Sequence, residues 1–187
     1  MTKKIILDLD NTLCVSVGKN WLQWLLQRYP LAESLLTADK LPYNLSKLFI
    51  IPEGDDPFAY WDYTELYDDL EPTDGAVEFV ENLNYLGYEI LIVSAIHTGY
   101  HAASKKRFID KWFSYDSVIF TEDKYHIKAD TFVDDSAEQV VSYKKHNPEA
   151  LVVKYRQDYD QGINMLNYPN IHIEYNFEDV FNLIVGE

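Results

Sequence analysis

The sequence has almost no cysteine and is short of positive charge. Cys14 is the single cysteine in 187 residues, so no internal disulfide can form, and a reducing, cytoplasmic setting is expected. Lys and Arg number 16 against 31 Asp and Glu, a formal net charge of −15. Polynucleotides and anionic membranes bind Lys/Arg-rich surfaces, so neither is an expected partner. A small anion is not excluded, because a metal and a few placed lysines make a local positive pocket even in an acidic protein. No apolar stretch is long enough to cross a bilayer. Lys3-Lys4 ahead of Ile5-Ile6-Leu7 looks like the start of a signal peptide, but Asp8 and Asp10 interrupt the apolar segment too early. The five histidines have no cysteine partner, and no zinc site is expected. His97 and His101, close behind Ser94, are expected to be exposed. Internal repeats and low-complexity segments are absent.

What is present is an alternation of short apolar runs with helical patterns, in a length that fits one domain with a small insert. Strands are predicted at Lys4–Asp8, Glu89–Ser94, Ser117–Phe120, Thr131–Asp134, Leu151–Lys154 and Ile171–Glu174. Ala76, Val77, Phe79, Val80 and Leu83 recur at helical spacing, with Thr73 or Asp74 as cap and Gly87 as terminator. Further helices carry Phe108, Ile109, Trp112 and Phe113, cover Ala137 to His146, and follow Asn176. The fold class read from this is α/β, a Rossmann-like parallel sheet. Residues 15–69 break the rhythm with an apolar helical stripe (Trp21, Leu22, Trp24, Leu25, Tyr29) and four prolines. They are expected to form a small helical cap inserted after the first strand, with residues 1–14 and 70–187 as the core. A cap leaving just after the first strand is placed to exclude water and read a substrate.

Three predicted strands end in chemistry. Asp8 and Asp10 stand two apart after Ile5-Ile6-Leu7, and residues i and i+2 of extended chain point to one side. Such a pair of carboxylates needs a cation, and Mg²⁺ suits an all-oxygen site. Ser94 closes Ile90-Leu91-Ile92-Val93 and can donate to a phosphate oxygen. Phe132-Val133 leads into Asp134-Asp135-Ser136, where one carboxylate can complete a metal site, the other can hold a lysine, and Asp135 or Ser136 can cap the next helix. Lys124 and Lys128 lie upstream as candidate partners. At about 100° per residue, Lys105 projects onto the buried stripe of Phe108, Ile109, Trp112 and Phe113, while Lys106 falls toward its edge. Strand ends converge in an open parallel sheet. One crevice could therefore hold a nucleophilic carboxylate, a second acid to protonate a leaving oxygen, Mg²⁺, a lysine and a hydroxyl, a coherent set for phosphoryl transfer.

Asp8-x-Asp10-x-Thr12 after an apolar run resembles motif I of the haloacid dehalogenase (HAD) superfamily of phosphohydrolases, and the order and spacing of the later motifs extend the likeness over nearly the whole chain. Tyr60-Trp61-Asp62, Asp69-Leu70-Glu71-Pro72 and Gly75-Ala76-Val77-Glu78 resemble the 5′(3′)-deoxyribonucleotidase family, as do Asp123-Lys124, Ala129-Asp130 and Val133-Asp134-Asp135. The resemblance implies a HAD fold with Asp8 as nucleophile and Asp10 as general acid, then base. It implies Mg²⁺ held by Asp8, the backbone carbonyl of Asp10 and Asp135, with Asp134 supporting them. Which of Asp134 and Asp135 ligates is left open. Ser94, Lys105 and Lys124 would contact phosphate. Cap aromatics would stack the base, with Trp21, Trp24, Tyr43, Phe58, Trp61 and Tyr67 as candidates.

The chain departs from the family at Asn11-Thr12, where Gly-Val is common, at Ala95-Ile96 after Ser94, and at Asp68, where an aromatic is expected beside the base. The expected activity is Mg²⁺-dependent hydrolysis of (deoxy)nucleoside monophosphates through an aspartyl-phosphate. The alternatives are a HAD phosphatase for another small ester such as a sugar phosphate, and a noncatalytic HAD-like module that binds a phosphorylated ligand. The expected partner is a small phosphorylated substrate, with a homodimer left open.

Overall fold

The computed structural model describes residues 2–32, 41–155, 159–160 and 163–186. Its elements in chain order are β1 (Lys4–Leu7), α1 (Ser16–Leu26), β2 (Leu41–Pro42), α2 (Ala76–Tyr85), β3 (Glu89–Ser94), α3 (Gly99–Trp112), β4 (Ser117–Phe120), β5 (Thr131–Asp134), α4 (Ala137–His146), β6 (Leu151–Tyr155), β7 (Tyr159–Asp160), β8 (His172–Glu174) and α5 (Phe177–Val185). Six strands form one sheet in the order β4-β3-β1-β5-β6-β8, and every pairing is parallel. β2 and β7 form a separate short parallel pair that ties the β1–α2 connection to the segment after β6.

Parallel strands are covered on both faces and so read as continuous apolar runs. Alternate residues of β1 go to opposite faces. Ile5 and Leu7 pack with Ile90, Ile92, Val133 and residues of α2, α3 and α5, while Ile6 packs with Leu91, Val93, Phe132 and α4. The ring of Phe132 stacks on Tyr143 of α4 at 4.1 Å and 10°. The chain runs from β1 out to β3 and β4, then crosses back to β5 on the other side of β1. This reversal opens a crevice beyond the carboxyl ends of the central strands.

One helix start matches the expected capping: Ser136 accepts from Gln139 N–H. Asn176 caps α5 in the same way, accepting from Asp179 N–H. The start of α2 differs. Its cap is Gly75 at φ 78°, not Thr73 or Asp74. Thr73 is diverted because its hydroxyl donates to Thr12 O at 2.7 Å and accepts from Val15 N–H at 3.1 Å, stitching the β1 turn to the start of α2. Among its described residues, the connection between β1 and α2 holds one α-helix and two 3-10 turns, at Leu45–Leu48 and Ala59–Asp62. The tryptophan stripe lies on α1 as far as Leu25, and Tyr29 lies beyond the helix end. No helix among the described residues is long and apolar enough to cross a membrane.

Candidate active site

Asp8 stands one residue beyond β1, and its backbone N–H still donates into the sheet, to Val133 O at 3.0 Å. The chain then reverses within four residues. Asn11 takes the left-handed conformation at φ 58°, which asparagine tolerates better than other non-glycine residues. Cys14 N–H closes the turn onto Leu9 O at 2.8 Å. That turn swings the Thr12 hydroxyl back to donate to Asp8 Oδ2 at 3.3 Å.

Around Asp8 the charges are buried and mostly paired. The Lys124 ammonium donates to Asp8 Oδ1 and, at 2.6 Å, to Asp134 Oδ2. Asp134 Oδ1 accepts the Ser136 N–H at 2.8 Å, so both of its oxygens are engaged. Asp135 Oδ2, by contrast, is buried with no hydrogen-bond partner. Leaving an ionised oxygen in that state is unfavourable, so it calls for a proton or a cation. Asp8, Asp134 and Asp135 each offer a carboxylate oxygen within 4.8 Å of the others. Burial pushes the Asp8 carboxyl up to about 7, with Asp134 and Asp10 adding to it and Lys124 opposing. Burial and repulsion from Asp134 and Asp8 raise Asp135 as well, against Lys124 and Lys154. An all-oxygen donor set of this kind, with one oxygen unpartnered, fits a hard divalent cation.

Asp10 is half-buried and paired differently. Lys105 Nζ donates to its Oδ2 at 2.5 Å, to Ser94 Oγ at 2.8 Å and to Ala95 O at 2.5 Å. The Tyr67 hydroxyl donates to Asp10 Oδ1 at 2.5 Å. Burial alone would raise the Asp10 carboxyl, but the Lys105 ammonium and these hydrogen bonds outweigh it and hold it below the usual range.

Beside Asp10 lies a cavity of about 410 Å³, lined by Trp21, Tyr43, Phe58, Trp61, His97 and His101 among others. Phe58 and Trp61 each lie 5.5 Å from Trp21, and the Trp21 indole N–H is fixed by Pro57 O at 3.0 Å. The Tyr43 hydroxyl is pushed well up, first by the charge of Asp135 and then by burial, Asp134, Asp8 and Asp10.

The sheet edge, the middle of α3 and the 3-10 turn at Lys124–His126 bring Asp8, Asp10, Ser94, Lys105, Lys124, Asp134 and Asp135 together. Lys105 is fully buried, while Lys106 lies on the surface paired with Asp110 at 2.5 Å. Trp21, Tyr43, Phe58 and Trp61 line the cavity. Trp24 and Tyr67 are not among the residues that line it. Trp24 turns to Tyr29, Tyr60 and the Arg28 guanidinium, the last 4.1 Å from its ring. Tyr67 has no accessible surface, its ring lying between His101 and Phe108. Lys128 is also elsewhere, donating to Asn147 Oδ1 at 2.6 Å.

The expected exposure of the two nearby histidines holds for His97 alone; His101 is buried. The two stand four residues apart with stacked rings, but His101 is not a free metal ligand. Its Nδ1 accepts from His97 N–H at 3.2 Å, and its Nε2 lies 3.3 Å from the Tyr67 hydroxyl. Lys154 was not singled out from the sequence. It is buried at the end of β6, in register with Asp134, and its charge reaches Asp135. The signal was available: a lysine directly after the buried run Leu151-Val152-Val153 falls on the same sheet edge.

A family model described as 5′ nucleotidase, deoxy (pyrimidine), cytosolic type C protein matches residues 2–186. No curated protein matches the chain. Among solved structures, the chain is similar to a HAD-superfamily hydrolase from Ehrlichia chaffeensis (TM-score 0.53, 17% identity, covering 100% of this chain and 98% of that one). It is similar to a HAD hydrolase of family IA, variant 3, from Entamoeba histolytica (TM-score 0.60, 14% identity, 95% of each chain). It also resembles YfnB from Bacillus subtilis, assigned as a HAD-hydrolase and solved bound to magnesium (TM-score 0.58, 11% identity, 98% of this chain and 99% of that one). At these identities the likeness establishes the HAD fold.

Proposed function

Because the chain belongs to the 5′ nucleotidase, deoxy (pyrimidine), cytosolic type C family of HAD phosphatases, we propose that it hydrolyses deoxyribonucleoside monophosphates in a Mg²⁺-dependent reaction through an aspartyl-phosphate on Asp8. One observation carries this reading. Asp10 is at once a member of the carboxylate–lysine cluster and part of the wall of the aromatic cavity. A phosphate at the cluster therefore extends its alcohol portion past Asp10 and among Trp21, Phe58 and Trp61. That arrangement suits a nucleoside better than a small polar sugar.

In the proposed sequence an Asp8 oxygen attacks phosphorus and the bond from phosphorus to the ribose oxygen breaks. Asp10 gives its proton to that leaving oxygen. The Asp10 carboxylate then takes a proton from water, whose oxygen attacks phosphorus. The bond to Asp8 breaks and phosphate leaves. Lys124 and Lys105 hold negative charge in a dry site and, with the Ser94 hydroxyl, are placed to offset charge on the phosphate oxygens. Lys105 rests on Asp10, Ser94 and the Ala95 carbonyl, so an arriving phosphate finds it already aimed.

Asp8, the carbonyl of Asp10 and Asp135 would hold Mg²⁺, because Asp134 is already occupied by Lys124 and Ser136 N–H. When bound, the ion would supply positive charge against these carboxylates and the phosphate. A cytosolic location is part of the same reading, taken from the family's description.

Phosphate release from deoxynucleoside, ribonucleoside and sugar monophosphates, with Mg²⁺ or EDTA, tests the proposal. Metal-dependent release from deoxynucleotides is expected. Release from sugar phosphates alone would keep the chemistry and overturn the substrate. No release from any ester would overturn both.

A further inference from the structure

Tyr67 is a fully buried tyrosine with a polar job at each end. Its backbone N–H donates to Ser104 Oγ of α3 at 3.0 Å. Its ring stacks on His101 at 5.8 Å and 19°, and its hydroxyl reaches Asp10 Oδ1 at 2.5 Å. His101 is 2% exposed. Its Nδ1 accepts from the His97 backbone N–H at 3.2 Å, so the proton of the neutral ring stands on Nε2. Burial, helped by Lys105, holds this ring down to about 3 and therefore neutral. Nε2–H then donates to the Tyr67 oxygen across 3.3 Å. With that lone pair taken, the phenolic hydrogen points at Asp10 Oδ1. The chain of donors has one direction: His97 N–H, His101, Tyr67, Asp10.

Asp10 has two oxygens, and only one of them can face the leaving group. Oδ1 accepts the Tyr67 hydroxyl at 2.5 Å. Oδ2 accepts from Lys105 at 2.5 Å and from Ser94 at 3.5 Å, on the phosphate side of the crevice. We propose that Tyr67 and His101 are positioning residues for Asp10, anchoring Oδ1 so that Oδ2 is held toward the leaving oxygen. The inference rests on Asp10 being the proton donor.

Leaving-group dependence separates this role from a structural one. A ribose alkoxide must be protonated as it leaves, whereas p-nitrophenolate need not be. Steady-state kinetics with Mg²⁺ would compare thymidine 5′-monophosphate with p-nitrophenyl phosphate for the wild type, Asp10→Asn, Tyr67→Phe, His101→Gln and His101→Leu. Asp10→Asn is expected to lose about 10²- to 10⁴-fold in kcat on the nucleotide and far less on the aryl ester. Tyr67→Phe should show the same selectivity in weaker form, about tenfold on the nucleotide with KM unchanged, as for one lost hydrogen bond.

His101→Gln can offer an amide N–H where Nε2 stood and should keep kcat, while His101→Leu should behave like Tyr67→Phe. Equal losses on both esters in Tyr67→Phe, with Asp10→Asn still selective, would overturn the positioning role and leave the Asp10 assignment standing. An unselective Asp10→Asn would remove that assignment and the inference with it. Should Tyr67→Phe not fold, the His101 pair decides: equal nucleotide kcat in Gln and Leu overturns the proposal.

Discussion

The carboxyl edge of the sheet and the β1–α2 connection meet in one crevice, yet they hold their side chains by different physics. On the sheet edge, Asp8, Ser94 and Asp134 are fixed by strand backbones, and each makes charged hydrogen bonds to Lys124 or Lys105. In the connection, Trp21, Phe58 and Trp61 sit on one helix and short turns. Their rings meet at 5.5 Å, and only the Trp21 indole has a polar anchor. Charged contacts in a dry site are directional and set atoms to within a fraction of an ångström. Ring packing is not directional and tolerates repacking. Reaction chemistry is therefore expected to be rigid on one wall, and substrate choice adjustable on the other.

Asp8→Asn should break the rigid wall most severely. The amide is nearly isosteric and cannot form the phosphoryl bond, so turnover should fall by roughly four orders of magnitude or more, with the circular dichroism spectrum unchanged. Normal turnover would remove Asp8 as nucleophile. Next comes Lys105→Ala against Lys106→Ala. Losing the buried ammonium should lower kcat by about 10²- to 10³-fold, whereas the exposed Lys106, which meets Asp110 and the Tyr115 ring at the surface, should matter little. Similar losses would mean that the two faces of α3 do not differ as their burial says.

The adjustable wall should respond in KM instead. Truncating Trp61 to Ala removes one stacking surface, and a lost base–aromatic contact is worth about 1–3 kcal/mol, a roughly 5- to 150-fold rise in KM. kcat on saturating deoxynucleotide should stay within a few-fold. A fall in kcat as large as the rise in KM would show that the rings position the phosphate, and the comparison between the walls would collapse.

The same contrast decides what could be read from the sequence. β3, β4, β5 and α4 lie at their predicted bounds, and β1, β6 and β8 within one residue, because buried strands and amphipathic helices carry strong periodicity. Asp8, Asp10, Ser94, Asp134 and Asp135 follow from being the first polar residues after those runs. Lys105 follows from its place on the helical stripe. No comparable rule aims a ring in an irregular connection. Trp24 and Trp21 share one stripe on α1, yet Trp24 turns to Arg28 and Tyr60 while Trp21 lines the cavity. Tyr67 resembles a base-stacking residue by position, but its hydroxyl found Asp10 and its ring was buried. That partnership spans 57 residues and leaves no local trace. For Lys154 the strand pattern puts the residue on the sheet edge, and only the register adds that it lies beside Asp134.

The smallest expected effect, a shift in melting temperature, tests whether the metal belongs to the sheet edge alone. Asp8 has its folded value raised from the ordinary 3.8 to about 7 by burial, and Asp135 shifts in the same direction. A carboxyl raised on folding contributes stability that is complete below its unfolded value and is lost as pH rises through its folded value. The metal-free protein should therefore lose the Asp8 contribution between about pH 4 and 7, and the Asp135 contribution in the same direction. Mg²⁺ binds the ionised carboxylates, so it should raise the melting temperature more at pH 8 than at pH 5. Saturation at about 100 times Kd is worth about 2.7 kcal/mol, and each kcal/mol moves a chain of this size by about 2–4 °C. Asp135→Asn should erase the shift, because it alters the carboxylate whose Oδ2 has no partner of its own. Trp61→Ala should keep it in full. An equal Mg²⁺ shift at both pH values would detach the ion from these carboxylates, and loss of the shift in Trp61→Ala would tie the two walls into a single unit.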